Sequence, residues 1–223
     1  MSFVFKQKTM HPKICLTIGN VTFDEALKHI SNVLLAEIRM DLLDFSNEQF
    51  SSIFSQNKCT IATYRSDNHF DVLFSRYSQA IEFGCTCVDI DINVPEVYRD
   101  KIADLAHSKG CKVVLSYHNY EKTPGHRDLS RLVEKMVGSG ADIVKIACTA
   151  HSTEDCSRVF GLYEKYTKLV AFCMGEIGKI TRLAAPMLGA PFTYASIKGK
   201  EVAPGQMNYD VVESMLKMME AGS

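Results

Sequence analysis

The chain of 223 residues reads as a single α/β domain, a (β/α)8 TIM barrel occupying residues 1–223. Three observations predict this. Short β-branched or apolar runs alternate with amphipathic segments from one end to the other. No linker or low-complexity stretch divides the chain, and the runs number eight, one for each strand of a closed barrel. An open sheet that binds a dinucleotide would carry G-x-G-x-x-G after a strand, and no such segment occurs.

The runs predicted as strands span residues 13–18, 35–41, 60–65, 87–92, 112–118, 143–148, 169–174 and 192–197. Between them apolar residues recur at helical spacing, as over 96–108 and 128–137. Gly84, Gly110 and Gly140 each follow such a segment, where a left-handed residue can end a helix before the next strand. The last segment, 209–220, places Val211, Val212, Met215, Leu216 and Met219 on one side, and this stripe is expected to be core packing. Gly175 to Gly178, after the seventh run, could cradle an anion as loops at that place in barrels do.

Composition narrows the function. With 46% hydrophobic and 23% charged residues the chain can bury one sizeable core, and a formal charge of −1 gives no basic face for nucleic acid or an anionic membrane. The expected partner is a small molecule or a second copy of the chain. Residues 1–13 contain no sustained apolar stretch, so no signal peptide is expected, and the eight cysteines are read as reduced in the cytoplasm. Cys15, Cys59, Cys87, Cys148 and Cys173 fall in strand-like runs, where free cysteine packs as a small hydrophobe. Cys85 and Cys87 lack the spacing of a zinc knuckle, and no metal is expected.

Side chains two apart on a strand share a face. Glu37, Arg39 and Asp41 therefore share one, as do Thr63 and Arg65, Asp89 and Asp91, and Ser116 and His118; Lys145 falls with Ile143 and Ala147. Barrel strands are covered on both sides, so charged residues in mid-run are rare unless paired or functional. At least five runs carry one here, in the middle or toward the C-terminal end, where barrel active sites assemble. Structural ion pairs, such as Glu37 with Arg39 or Arg65, are the plain alternative.

Lys145, set among Ile143, Val144, Ile146 and Ala147, is predicted to be desolvated by those neighbours, and a neutral amine is the form that attacks a carbonyl. His118 suits proton transfer near neutrality, and Asp91 on the neighbouring run could fix its tautomer. A metal held by His118, Asp89 and Asp91 would lack a second strand-end histidine.

These residues resemble the type I 3-dehydroquinate dehydratases of the shikimate pathway along nearly the whole chain. The likeness rests on Pro12-Lys-Ile-Cys-Leu-Thr17, Glu37-Ile-Arg39-Met-Asp41, Thr63-Tyr-Arg65-Ser, Asp89-Ile-Asp91, Ser116-Tyr-His118-Asn-Tyr-Glu-Lys-Thr-Pro124, Ala141-Asp-Ile-Val-Lys145-Ile-Ala147, Met174-Gly, Ile180-Thr-Arg182-Leu-Ala184 and Ala203-Pro-Gly-Gln206. It implies that Lys145 forms an imine with the C3 ketone of 3-dehydroquinate, and that His118 removes a C2 proton and protonates the departing C1 hydroxyl. It further implies that Thr17, Glu37, Arg39 and Arg65 line the substrate, that Arg182 binds its carboxylate, and that Gln206 belongs to a covering loop. Neither metal nor organic cofactor is implied, and a homodimer is expected because members are often dimers. Asp91 stands where many members have Glu, one methylene further from His118, and Val202 stands where a hydroxyl residue is common. The rival readings are another Schiff-base barrel, such as a class I aldolase, and a catalytically decayed barrel that only binds a metabolite.

Overall fold

The computed structural model describes residues 14–56, 58–65 and 69–221; the stretch 1–13, which includes Pro12 and Lys13 and where no signal peptide is expected, and Ser66 lie outside the described residues. The strands are β1 (Ile14–Ile18), β2 (Leu35–Arg39), β3 (Cys59–Thr63), β4 (Cys87–Asp91), β5 (Lys112–Asn119), β6 (Ile143–Thr149), β7 (Leu169–Met174) and β8 (Thr193–Ser196). Each is followed by its helix: α1 (Phe23–Ser31), α2 (Asn47–Phe54), α3 (Phe70–Glu82), α4 (Glu96–Ser108), α5 (His126–Gly138), α6 (Thr153–Phe160), α7 (Lys179–Ala184) and α8 (Tyr209–Ala221). All neighbouring strands pair in parallel, in the order β7-β6-β5-β4-β3-β2-β1-β8, so the architecture is a single (β/α)8 barrel.

Among the described residues no ladder joins β7 to β8. Side chains close that seam instead: Phe172 and Tyr194 pack with ring centroids 6.0 Å apart, and Phe192 meets Tyr194 edge to face at 5.4 Å.

Strand alternation divides the apolar residues into two cores. Cys15, Leu35, Ile61, Val170, Phe172, Phe192 and Tyr194 pack inside the barrel. Leu16, Ile18, Ile38, Val88, Ile90, Leu115, Val144 and Ile146 point outward and pack under the helices with residues such as Ile30, Leu73, Ile102 and Leu129. Parallel register then stacks a polar layer on the inner apolar one, because Thr17 lies opposite Glu37, Thr63 opposite Asp89 and Ser116 opposite Lys145. All six of these are buried.

Several expectations are corrected. The second strand ends at Arg39, because Met40–Leu42 form a 3-10 turn that bends Asp41 back onto Arg39. The third ends at Thr63, so Arg65 projects from beyond the strand. Cys59, the first residue of β3, is exposed, and Cys87 is half-buried. On α8 only Val212 and Leu216 enter the core, against Ile14 and Ala195; Val211, Met215 and Met219 are each more than 40% exposed. The methionine stripe is therefore surface.

Helix starts are set locally: Thr22 with Glu25, and Ser46 with Gln49, form reciprocal capping boxes that satisfy the first backbone N–H groups of α1 and α2. No helix among the described residues is long and apolar enough to cross a membrane.

At the start of α7 the requirement is space. A Cβ on Gly178 would lie 2.6 Å from the backbone of Cys173 and Met174, so α7 approaches β7 as closely as it does because residue 178 has no side chain. Gly178→Ala should therefore destabilise the fold by about 1–3 kcal/mol, the usual cost of overpacking. Thermal or urea unfolding would show this, and unchanged stability would mean that α7 is free to shift.

Candidate active site

At the C-terminal ends of the strands a cleft opens over the polar layer. Of the residues singled out from the sequence, Thr17, Glu37, Arg39, Arg65, His118, Lys145, Arg182 and Gln206 line it, whereas Asp91 stands behind His118. Phe172, Met174 and Tyr194 supply an apolar side.

Lys145 is 5% exposed. Its Nζ donates to Asp89 Oδ2 at 2.9 Å, lies 3.6 Å from Glu37 Oε1, and sits 4.1 Å over the centre of the Tyr194 ring. This corrects the picture of an amine surrounded by its apolar neighbours in sequence. Val144 and Ile146 face the helices, and the amine itself meets two carboxylates and an aromatic face.

Asp89 is the residue that sequence reasoning left without a role. It is fully buried and accepts from Arg65 Nη2 (2.6 Å), Ser116 Oγ (2.6 Å) and Lys145 Nζ. Burial alone would raise its carboxyl, but the charges of Arg65 and Lys145 outweigh burial and hold it well below the usual carboxylate range. The available signal was parity: an aspartate two residues before Asp91 must point the same way, one layer deeper.

His118 Nδ1 lies 2.8 Å from Asp91 Oδ2, so the shorter carboxylate still reaches. Burial would raise Asp91, yet the hydrogen bond from His118 and the charge of Arg65 lower it, so it accepts and His118 Nδ1 donates. The remaining lone pair, on Nε2, is then free for chemistry. His118 itself is lowered from the ordinary histidine value, first by burial and then by the charges of Arg65 and Lys145, against the upward pull of Asp91. Tyr120 stacks on its ring at 6.2 Å and 14°.

Glu37 is held by two hydroxyls, Thr17 Oγ1 at 2.9 Å and Thr63 Oγ1 at 3.0 Å. Thr17 accepts in turn from Gln206 Nε2 (3.0 Å), and Gln206 Oε1 accepts from the backbone N–H of Val202 (3.0 Å). A polar chain thus runs from the loop after β8 down to the lysine. Arg39 is engaged by Asp41 in a two-point pair at 3.0 and 2.7 Å, and Arg65 by Asp89; the alternative pairs of Glu37 with Arg39 or Arg65 do not form.

Arg182 differs from every other cation in the cleft. It is 1% exposed, rests 4.2 Å over the Phe172 ring and makes one long hydrogen bond, 3.4 Å to Pro204 O. Its Nε has no partner, and no carboxylate among the described residues pairs with it. Burial brings it down to about 10. An isolated buried guanidinium is costly, and an anion entering the cleft would relieve that cost.

Known proteins share this architecture and its sequence. The model of the type I 3-dehydroquinase family matches residues 14–223. A 3-dehydroquinate dehydratase of Pyrococcus abyssi is 34% identical over 206 residues, which cover 89% of this chain and 94% of that protein. One from Methanocaldococcus jannaschii is 31% identical over 224 residues, covering 93% and 99%. The crystal structure of a type I 3-dehydroquinate dehydratase from Clostridium difficile superposes with a TM-score of 0.84 over 95% of this chain and 94% of that one, a likeness of fold at 20% identity. The family model and these relatives show that the chain belongs to the type I 3-dehydroquinase family.

Proposed function

We propose that the protein dehydrates 3-dehydroquinate to 3-dehydroshikimate through an imine on Lys145, with His118 carrying the proton. One observation supports this above the others: a buried arginine without a counter-ion among the described residues, Arg182, shares a cleft with a buried primary amine. That pairing suits a small molecule that carries both a carboxylate and a ketone, and a planar guanidinium can hold a carboxylate by two hydrogen bonds.

Lys145 gives up one ammonium proton and adds as the amine to the C3 ketone; that proton goes to the carbinolamine hydroxyl, which leaves as water and gives a protonated imine. The positive charge of that imine stands where the ammonium charge stood, so Asp89 and Glu37 remain its partners and no new charge is buried. The imine makes the neighbouring C2–H acidic by offering its electrons a sink. Nε2 of His118 takes that proton while Asp91 steadies the ring through Nδ1. The electrons of the resulting enamine expel the C1 hydroxyl, which departs as water with the proton from His118. A second water then hydrolyses the imine and frees Lys145, so the net change is one water lost.

Both departures from the family pattern are compatible with turnover. Asp91 pairs with His118 at an ordinary distance, and Val202 contributes its backbone N–H, which any residue but proline would supply. The reading therefore favours a working enzyme over a decayed binding barrel.

Trapping tests the covalent step. Sodium borohydride added during turnover should inactivate the protein and fix one ligand mass on the peptide containing Lys145, while Lys145→Met should fold, turn nothing over and take no label. Label on a different lysine, or turnover with no trappable adduct, would remove the imine.

The histidine makes a pH prediction. His118 must be unprotonated to accept the C2 proton, and its surroundings lower it from 6.5, so kcat/KM should hold steady above that pH and fall only below it. His118→Ala should cost at least ~10²-fold in kcat. Asp91→Asn, which takes away an upward influence on the ring, should move the acid limb lower still. An acid limb above pH 6.5 would assign the proton transfer to another group.

Arg182→Ala should raise KM for 3-dehydroquinate by roughly 10-fold or more, the scale of a lost charge-assisted hydrogen bond. A KM like that of the parent protein would place the carboxylate elsewhere.

A further inference from the structure

The opposite end of the barrel holds a second cluster of reactive side chains. Cys85 and Cys111 occupy the same place in two successive units, each just after a left-handed glycine, Gly84 with φ 96° and Gly110 with φ 74°. The backbone N–H of each donates to the end of the preceding helix, Cys85 to Ala80 O at 3.0 Å and Cys111 to Ala106 O at 2.8 Å. The chain just beyond is pinned too, since Thr86 N donates to Thr60 O and Lys112 N to Thr86 O. Two thiols fixed at equivalent points of adjacent units face each other, and their Sγ atoms stand 3.6 Å apart. The Cys111 thiol is within reach of the Lys112 carbonyl at 3.7 Å, which leaves its sulfur to meet that of Cys85. Neither residue lines the cleft.

We propose that Cys85 and Cys111 are an oxidation site at which hydrogen peroxide forms a disulfide, stapling the root of β4 to the root of β5. One sulfur attacks the peroxide O–O bond, becomes a sulfenic acid and releases water. The second thiol displaces the sulfenic oxygen, which departs as water with the thiol proton. Two sulfurs thus lose two electrons in all, and one peroxide becomes two waters.

Geometry favours closure on this pair. A disulfide is ~2.05 Å long, so the sulfurs, 3.6 Å apart, need approach by only about 1.5 Å. Their burial, 5% and 4% exposed, admits a small oxidant and excludes a protein one. It also makes the reaction slow, because the hydrogen bond to Cys111 and burial both keep Cys85 protonated. The residues joined are 26 apart in sequence and enclose β4 and α4, so the cross-link restricts the unfolded chain as well as the folded one.

Full-length protein is treated with hydrogen peroxide under native conditions, followed by mass mapping without reduction and by calorimetry. Expected are the loss of two hydrogen masses in a single cross-linked peptide pair joining Cys85 and Cys111, and a Tm higher by roughly 5–10 °C. Dithiothreitol should reverse both, and dehydratase activity should be the same before and after. The double variant Cys59→Ser/Cys87→Ser, which removes the more accessible thiols nearby, should still cross-link. Cys111→Ser should lose the cross-link and the Tm rise, with Cys85→Ser as the second variant if the first fails to fold. Cys85 and Cys111 remaining unlinked while the other cysteines oxidise would overturn the proposal, as would a cross-link that leaves Tm unchanged.

Discussion

A single buried carboxylate, Asp89, organises the polar layer of this barrel. An aspartate with no exposure is stable only if donors replace the water it has lost, and three arrive from three strands or their ends: Arg65 after β3, Ser116 from β5 and Lys145 from β6. The Tyr77 hydroxyl of α3 adds a bond to its backbone carbonyl. Together they hold the amine of Lys145 inside the barrel, and removing the carboxylate would leave Arg65 without its anion and Lys145 with Glu37 alone.

The charges above this layer divide unevenly. Arg39 is matched by Asp41, and Arg65 and Lys145 by Asp89 and Glu37. Asp91 holds the imidazole of His118, and Arg182 has no carboxylate partner among the described residues. The unmatched anion and the unmatched cation therefore belong to different tasks. Asp91 faces the ring that handles protons, where a fixed negative charge orients the donor nitrogen, whereas Arg182 faces the cleft, where only an incoming anion can answer it.

Much of this was legible in the sequence because strand parity is an arithmetic property. Once the runs were placed, Glu37, His118 and Lys145 had to share the barrel interior, and small errors in the ends of runs did not alter that. What parity could not supply was depth and partner choice. Asp41 shares the parity of Glu37 but leaves the strand at the 3-10 turn of Met40–Leu42, so it pairs with Arg39 instead of facing inward. Asp89 and Asp91 have equal parity, and which of them meets the lysine depends on the stagger between β4, β5 and β6, a three-dimensional quantity that the pattern does not encode. Periodicity likewise placed Met215 and Met219 on the side of Val212 and Leu216, but the buried arc of α8 is too narrow to include them.

One wall of the cleft lies at the seam between β7 and β8. Seven strand pairs are laced by backbone hydrogen bonds, and a lacing at the eighth would draw these strands together where Phe172 and Tyr194 now fill the gap. That gap gives the Arg182 guanidinium a place over the Phe172 face, with α7 drawn in by Gly178. Above it the loop after β8 crosses back: Gly205, at φ 69°, lies so close to Gly175 that a Cβ would strike its backbone, and Pro204 O accepts from both Gly175 N and Arg182. The same loop sends Gln206 to Thr17 and so reaches Glu37. The strand pair that lacks a ladder among the described residues is thus the one whose loops hold Arg182 and roof the cleft, with Gly178 and Gly205 allowing the close approaches and Gln206 reaching across to Thr17.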